Sequence, residues 1–424
     1  LTHAISGLKE GGESLNRSKI KIPELLVPAG NLEKLRFAIH YGADSVYIGG
    51  RSFSLRNRAD NFTLEEMHEG VSLAHQHGKK VYLALNIFPH NRDLLEMQRL
   101  LPQLPDTGMD ALIVSDPGTF TLVREMLPEI PVHISTQANL LNTRTVKFWE
   151  TMGARRVVLA RELSLGEIKE IRTSTSLELE TFVHGAMCMS YSGRCLLSSV
   201  LTGRSANLGD CAQPCRWEYT LSEEKRPGES FPIIEDLGQS FIMNSKDLNL
   251  IRYLPELIEA GVDSLKIEGR MKSIYYTASV TRIYRDALDT YRKDPEGYRF
   301  NETWWEELKT ISHRDYTSGF LLGAEGFDLQ HTESSNYIQD FNFVGIVVGM
   351  GSENIVMVQA RNKICLGDEI EWIGPDMAFF RSMVRELRDE NGHALDSVNP
   401  GQTFQTPMDH PVDVDFLLRR RIKP

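Results

Sequence analysis

The stretches YGADSVYIGG (41–50), HGKKVYLALN (77–86), TGMDALIVSD (107–116), MGARRVVLAR (152–161) and AGVDSLKIEGR (260–270) share one pattern. A helix-like stretch ends at a glycine, a few polar residues follow, and a short β-rich apolar run comes next. Glycine is favoured just past a helix end because the backbone there turns left-handed. An apolar run without alternation suits a strand covered on both faces. The stretches 32–40, 64–75, 94–104 and 143–152 are amphipathic, as surface helices are. PELLVPAG (23–30), PVHISTQAN (131–139) and LELETFVHG (177–185) add three further runs. The eight runs fall at about 24–28, 45–49, 80–86, 111–115, 131–135, 156–161, 177–183 and 264–268. Eight strands alternating with helices predict an α/β fold, a (β/α)8 TIM-like barrel. An open doubly wound sheet shares the local signals, but the count of eight favours the barrel.

One connection breaks the rhythm. Residues 184–263, between the seventh and eighth runs, are too many for an ordinary βα loop, and such insertions carry function. A hairpin from WEYTLSE (217–223) to SFIMNSKDL (240–248) and a helix over 248–260 are expected within it. A helix over 272–293 follows the eighth run, and a second over 302–313. From Asn342 the pattern changes to FVGIVVGM, ENIVMVQA, ICLGDEIEWIG and FLLRRRI, with turn chemistry in NGHALDSVNPGQ. Short alternating strands with glycine and proline turns predict a small all-β barrel. The chain thus divides into an N-terminal extension (1–20), the barrel (21–315), a linker (316–341) and a β-domain (342–424).

The insertion holds four of the five cysteines: Cys188, Cys195, Cys211 and Cys215. Their spacing is C-x6-C, fifteen residues, then C-x3-C. Disulfides belong to oxidising compartments and to small domains that lack a core, and this long chain opens with no apolar signal-like stretch. Structural zinc usually sits between two tight C-x2-4-C knuckles, and only the Cys211–Cys215 end has that form. An iron–sulfur cluster is larger than a single ion and tolerates uneven spacing, so it is the favoured reading, with zinc the alternative. Strand ends face the site in a barrel, so the cysteines should sit over its mouth.

The formal net charge is −11, with 41% hydrophobic and 25% charged residues, as in a soluble globular protein. That charge argues mildly against indiscriminate nucleic-acid binding. No apolar run is long enough for a membrane span, and the cytoplasm is the expected location. Polar strand-end residues include Asn86, Asp116, Gln137, Arg161, Glu162, His184, Glu268 and Arg270. Arg161 and Arg270 each follow an apolar run closely, and two guanidinium groups suit a small dicarboxylate or a phosphate. Their bland reading is salt bridges to Glu162 and Glu268. His184 is a candidate proton donor, cluster neighbour or packed loop histidine. The sequence contains no G-x-S-x-G, H-E-x-x-H, GxGxxG after a strand, or Walker loop. The basic RRRIK (419–423) reads as a solvated tail or an RNA-phosphate contact.

The segment Glu180-x-Phe182-x2-Gly185-Ala186-Met187-Cys188-x4-Gly193-x-Cys195-x-Leu197-Ser198 resembles the signature of the U32 peptidase family, the collagenase-like proteins. ELLVPAGNLEKL, GADSVYIGG, LARELSL, NSKDL and LKIEGRMKS extend the resemblance along the barrel. The family is named for proteolysis. Its better-understood members resemble oxygen-independent hydroxylation factors with a [4Fe–4S] cluster, acting on quinone precursors, ribosomal RNA or tRNA. A barrel with one short β-domain looks most like the tRNA branch. The resemblance implies that Cys188, Cys195, Cys211 and Cys215 bind the cluster and that Cys365 does not. It further implies prephenate as hydroxyl source and the tRNA anticodon arm as partner, giving 5-hydroxyuridine at the wobble position. Arg161, His184 and Arg270 are the catalytic candidates, taken from strand-end position alone. Family members can work in pairs, so a homo- or hetero-oligomer, a non-catalytic scaffold holding a cluster and a U32-type peptidase are the competing readings.

Overall fold

The computed structural model describes residues 21–50, 61–187, 246–323, 337–351 and 354–422, with short stretches between 197 and 239. Seven parallel strands pair in sequence: β1 (Glu24–Pro28), β2 (Ser45–Gly49), β3 (Lys80–Leu85), β4 (Ala111–Val114), β5 (Val132–Ile134), β6 (Arg156–Val158) and β7 (Glu178–Ala186). Within the insertion, β8 (Thr220–Ser222) pairs with β9 (Ser230–Pro232), and β10 (Ile234–Glu235) pairs with β11 (Gly238–Gln239). Next come β12 (Asp247–Asn249) and β13 (Ser264–Ile267). β13 pairs in parallel with both β7 and β1, which closes the barrel at eight parallel strands. All eight predicted runs are strands. The five pattern glycines, 42, 78, 108, 153 and 261, all have positive φ.

The helices α1 (Leu32–His40), α2 (Leu64–Gln76), α3 (Asn91–Leu100), α4 (Pro117–Met126), α5 (Thr143–Met152) and α6 (Leu165–Ser174) alternate with the strands. Thr63 with Glu66, and Ser164 with Glu167, form reciprocal capping boxes that fix where α2 and α6 begin. After the short α7 (Leu197–Thr202) and α8 (Leu254–Glu259), the long α9 (Ile274–Lys293) packs on α1 and on α10 (Glu302–Lys309). No helix among the described residues is long and apolar enough to cross a membrane.

Two expectations within the insertion are corrected. The partner of Thr220–Ser222 is Ser230–Pro232, not the stretch ending at Leu248. The stretch 248–260 is not one helix. Asp247–Asn249 instead lies antiparallel to the end of β7, opposite His184, Gly185 and Ala186. The Asn249 side chain accepts the Ile251 N–H at 3.3 Å, which turns the chain, and Pro255 sits where a helix start tolerates it.

The barrel interior is partly charged, where most such barrels are filled with Val, Ile and Leu. Arg156 donates to Glu24, Glu178 and Glu180, and the Lys266 ammonium donates to Glu180 at 2.7 Å. Glu180 is fully buried. Buried charges persist only when paired and hydrogen-bonded. At Glu24 burial opposes ionisation, but the Arg156 charge and hydrogen bonds from Arg156, Ser45 and Tyr82 outweigh it and hold the carboxyl below its usual range.

β14 (Tyr316–Thr317) pairs with β12 and extends the sheet past the barrel rim. The C-terminal domain contains β15 (Phe341–Met350), β16 (Ile355–Ala360), β17 (Ile364–Cys365), β18 (Glu369–Ile373), β19 (Phe379–Met383), β20 (Ser397–Val398), β21 (Thr403–Pro407) and β22 (Leu417–Arg421). Six of these form one antiparallel sheet in the order β19-β18-β22-β15-β16-β21, a half-barrel around Val344, Val358, Trp372, Phe404 and Leu418. The basic C-terminal run is not a solvated tail. Arg419 is buried in β22 and donates to Glu371 at 2.6 Å and to Glu307 of α10 at 2.7 Å. Arg282 of α9 shares Glu307 and donates to the Asp376 carbonyl at 2.9 Å. The Tyr41 hydroxyl donates to the carbonyls of Ile373 and Asp415. These bonds fix the half-barrel onto the helical wall of the barrel.

Candidate active site at the barrel mouth

The chain leaves β6 at Val158 and reaches Arg161 at the barrel rim. The Arg161 guanidinium lies 3.9 Å from the centroid of the Phe182 ring. Its Nη1 donates to the Ala186 carbonyl at 2.9 Å, and Nη2 sits 3.6 Å from the Glu268 carboxylate. Arg161 therefore ties the ends of β6, β7 and β13 together. The Ala186 carbonyl precedes Cys188 by two residues, so this contact also fixes the approach to the cysteine segment. The next residue, Glu162, has its carboxyl pushed up by burial, which backbone hydrogen bonds and the Arg161 charge only partly offset.

Gly185 is the pivot of that approach. Its φ is +109°, and a Cβ there would lie 2.6 Å from the Glu268 carbonyl oxygen and 3.1 Å from the Tyr276 hydroxyl. Only glycine fits both the backbone angle and the gap. The β7–β13 register shifts at this level, between Lys266 and Ile267.

Arg270 is buried two residues beyond Glu268, and its carbonyl oxygen lies against Gly30 at the end of β1. Arg161 and Arg270 thus share the β13 end of the rim. The salt bridge at this rim joins Arg161 to Glu268 and not to its neighbour Glu162. The His184 ring is placed elsewhere. It packs among Tyr276, Tyr284 and Tyr316 at centroid separations of 5.5–6.0 Å. Burial, with the charges of His313 and Lys272, pushes its pKa down to about 3, so the imidazole is neutral. The tyrosines of this box and its floor, Asp247 and Asn249 on β12, escaped the sequence reading. The NSKDL motif that carries Asp247 was its only signal.

Cys188, Cys195, Cys211 and Cys215 lie outside the described residues. Two described neighbours bear on them. The Ser198 hydroxyl, three residues after Cys195, accepts the N–H of Ala212, which follows Cys211, at 2.9 Å. The flanks of the two halves of the cysteine set are therefore joined. That donor set, four thiols with converging flanks, fits a metal–thiolate centre. Cys365 is a free thiol in β17 of the C-terminal domain.

Comparison with known proteins agrees with this architecture. Residues 30–331 match Peptidase family U32, and residues 339–419 match the Peptidase family U32 C-terminal domain. The chain is 42% identical over 410 residues to tRNA hydroxylation protein P1 of Bacillus subtilis, covering 95% of this chain and 94% of that protein. It is 40% identical to tRNA hydroxylation protein P of Escherichia coli over 93% of this chain and 95% of that one. A 23S rRNA 5-hydroxycytidine synthase of Escherichia coli is 42% identical over 91% of this chain but only 59% of its own length. With its barrel and its half-barrel both matched, the chain belongs to peptidase family U32.

Proposed function

We propose that the protein is an RNA-hydroxylating enzyme that acts on tRNA, converting the wobble uridine to 5-hydroxyuridine with prephenate as hydroxyl source. The observation that carries this reading is the similarity, over more than nine-tenths of the chain, to two tRNA hydroxylation proteins that are 42% and 40% identical to it. The similarity to a ribosomal RNA 5-hydroxycytidine synthase supports the same reaction class, hydroxylation of a pyrimidine. Cys188, Cys195, Cys211 and Cys215 would hold a [4Fe–4S] cluster, which when bound supplies electron transfer at the mouth.

The chain's own residues provide binding and order around that centre. Arg161 fixes the Ala186 carbonyl and so the entry to the cysteine segment. The buried Arg270 offers a cation for a prephenate carboxylate. Neutral His184 and its tyrosine box exclude water behind β7. A splayed loop base enters the mouth as unpaired RNA bases enter other sites, and the half-barrel docks the rest of the anticodon arm.

Nucleoside mass spectrometry of bulk tRNA from cells with and without the gene tests the reading. Loss of a uridine product heavier by one oxygen, restored by the wild type and not by Cys188→Ser, is the expected result. An unchanged profile rejects it.

A further inference from the structure

Two buried polar atoms at the barrel mouth lack a partner. Gln137 is 3% exposed, in the tight turn Thr136–Ala138 after β5, and its Oε1 accepts no hydrogen bond. Arg161 has an 8% exposed side chain, and its Nε donates to nothing. The segments that carry them are joined: the Thr136 hydroxyl donates to the Leu159 carbonyl, and the Ala160 N–H to the Leu140 carbonyl, each at 3.2 Å. An unpaired acceptor and an unpaired donor therefore sit on adjoining strand ends. Leaving such atoms unpaired costs about 1–3 kcal/mol each, and folded proteins seldom do so without a reason.

A ligand group with neighbouring donor and acceptor atoms would complete both. A hydroxy-carboxylate and the edge of a nucleobase each have that form. The charge of the site decides between them. Arg161 is already balanced by Glu268 at 3.6 Å, so an arriving anion would meet a carboxylate as well as a guanidinium. A neutral base edge meets no such repulsion. The guanidinium also lies 3.9 Å from the Phe182 ring centroid, and unpaired bases stack on guanidinium and aromatic groups of this kind.

We propose that Gln137 and Arg161 read the Watson–Crick edge of the pyrimidine that enters the mouth. Gln137 Oε1 accepts the base N–H, and Arg161 Nε donates to the adjacent base acceptor. Gln137 is thereby a specificity-determining residue. The inference rests on the RNA-hydroxylation reading above.

The test measures equilibrium binding of an anticodon stem-loop RNA with uridine or an abasic site at the wobble position, using the full-length protein. The wild type should prefer the uridine loop by about a hundredfold, the value of two good hydrogen bonds. Gln137→Met should cut that preference by about tenfold, leaving the Arg161 contact, while Gln137→Glu, which keeps an acceptor, loses less. Iron content should match the wild type in both variants, and each should melt in one cooperative transition. A wild-type preference that survives in a folded Gln137→Met protein overturns the proposal. So does a selective loss of prephenate affinity, which would assign the pair to the hydroxy-carboxylate. The binding arm needs no turnover. Base discrimination by Gln137 in a protein that leaves tRNA unmodified would refute the proposed reaction and leave the base-reading site standing.

Discussion

The Ser198 hydroxyl accepts a hydrogen bond from the Ala212 backbone across fourteen positions of sequence, and Ser198 is fully buried. This bond closes the loop between Cys195 and Cys211. Ser198→Ala removes the acceptor and leaves a backbone N–H to be satisfied, at a cost of about 1–3 kcal/mol. The expected outcome is a protein that folds but retains less than about half the wild-type iron after anaerobic reconstitution, as loosened thiolate ligation predicts. Cys365→Ser should retain all of it. Equal iron in Ser198→Ala and wild type would show that the cysteine segment orders itself without this bond.

Gly185→Ala places a methyl 2.6 Å from the Glu268 carbonyl at a φ of +109°. Backbone cannot yield there without separating β7 from β13, where the barrel closes. A loss of about 2–4 kcal/mol is expected, from strain at a backbone angle reserved for glycine together with overpacking. Calorimetry should show a lower melting midpoint and the same substitution at exposed Gly166 should not. An unchanged midpoint in Gly185→Ala would mean that the rim relaxes freely.

The half-barrel and the barrel share one buried ion network. Arg419→Met leaves Glu307 with Arg282 and Glu371 with Arg381, and losing one charge-assisted partner at each buried carboxylate should cost about 1.5–3 kcal/mol. Exposed Arg421→Ala should stay within about 0.5 kcal/mol of wild type. Calorimetry checks the direction: the Arg419→Met midpoint should fall, and an unchanged midpoint would mean that the domains hold together without the network.

The strands were legible because their signals are local. In YGADSVYIGG the glycine, the turn and the apolar run lie within ten residues, and each imposes its own backbone geometry. β12 was not legible. Asp247–Asn249 is too short for a periodic signal, and its strand character comes from pairing with the end of β7 at His184–Ala186. The buried role of Arg419 was hidden for the same reason, since RRRIK is basic whether it meets water or the carboxylates of Glu307 and Glu371. At the mouth, Arg161 could be placed from its position after a strand. Its partners could not, because Phe182, Ala186 and Glu268 arrive from two other strands.

His184 makes folding sensitive to mild acid. Its imidazole faces Tyr284 and Tyr276 from α9, Tyr316 from β14, and the charges of His313 and Lys272. Burial is the largest cause, and the folded pKa is pushed down to about 3. The unfolded imidazole titrates near about 6.5. Between these values the unfolded chain binds the proton and the folded chain does not, so stability falls as pH drops below about 6.5, by up to about 1.4 kcal/mol per pH unit. Above that pH the group contributes no slope. Burial likewise lowers His133, inside the barrel, and it adds to the same window. Carboxylates such as Glu24, held below their usual range by Arg156, act only at lower pH. Melting midpoints between pH 7 and pH 5 should therefore fall less steeply in His184→Phe than in the wild type. Parallel curves would mean that protonated His184 finds water or a carboxylate in the folded protein, and that the tyrosine box opens in acid without unfolding the barrel.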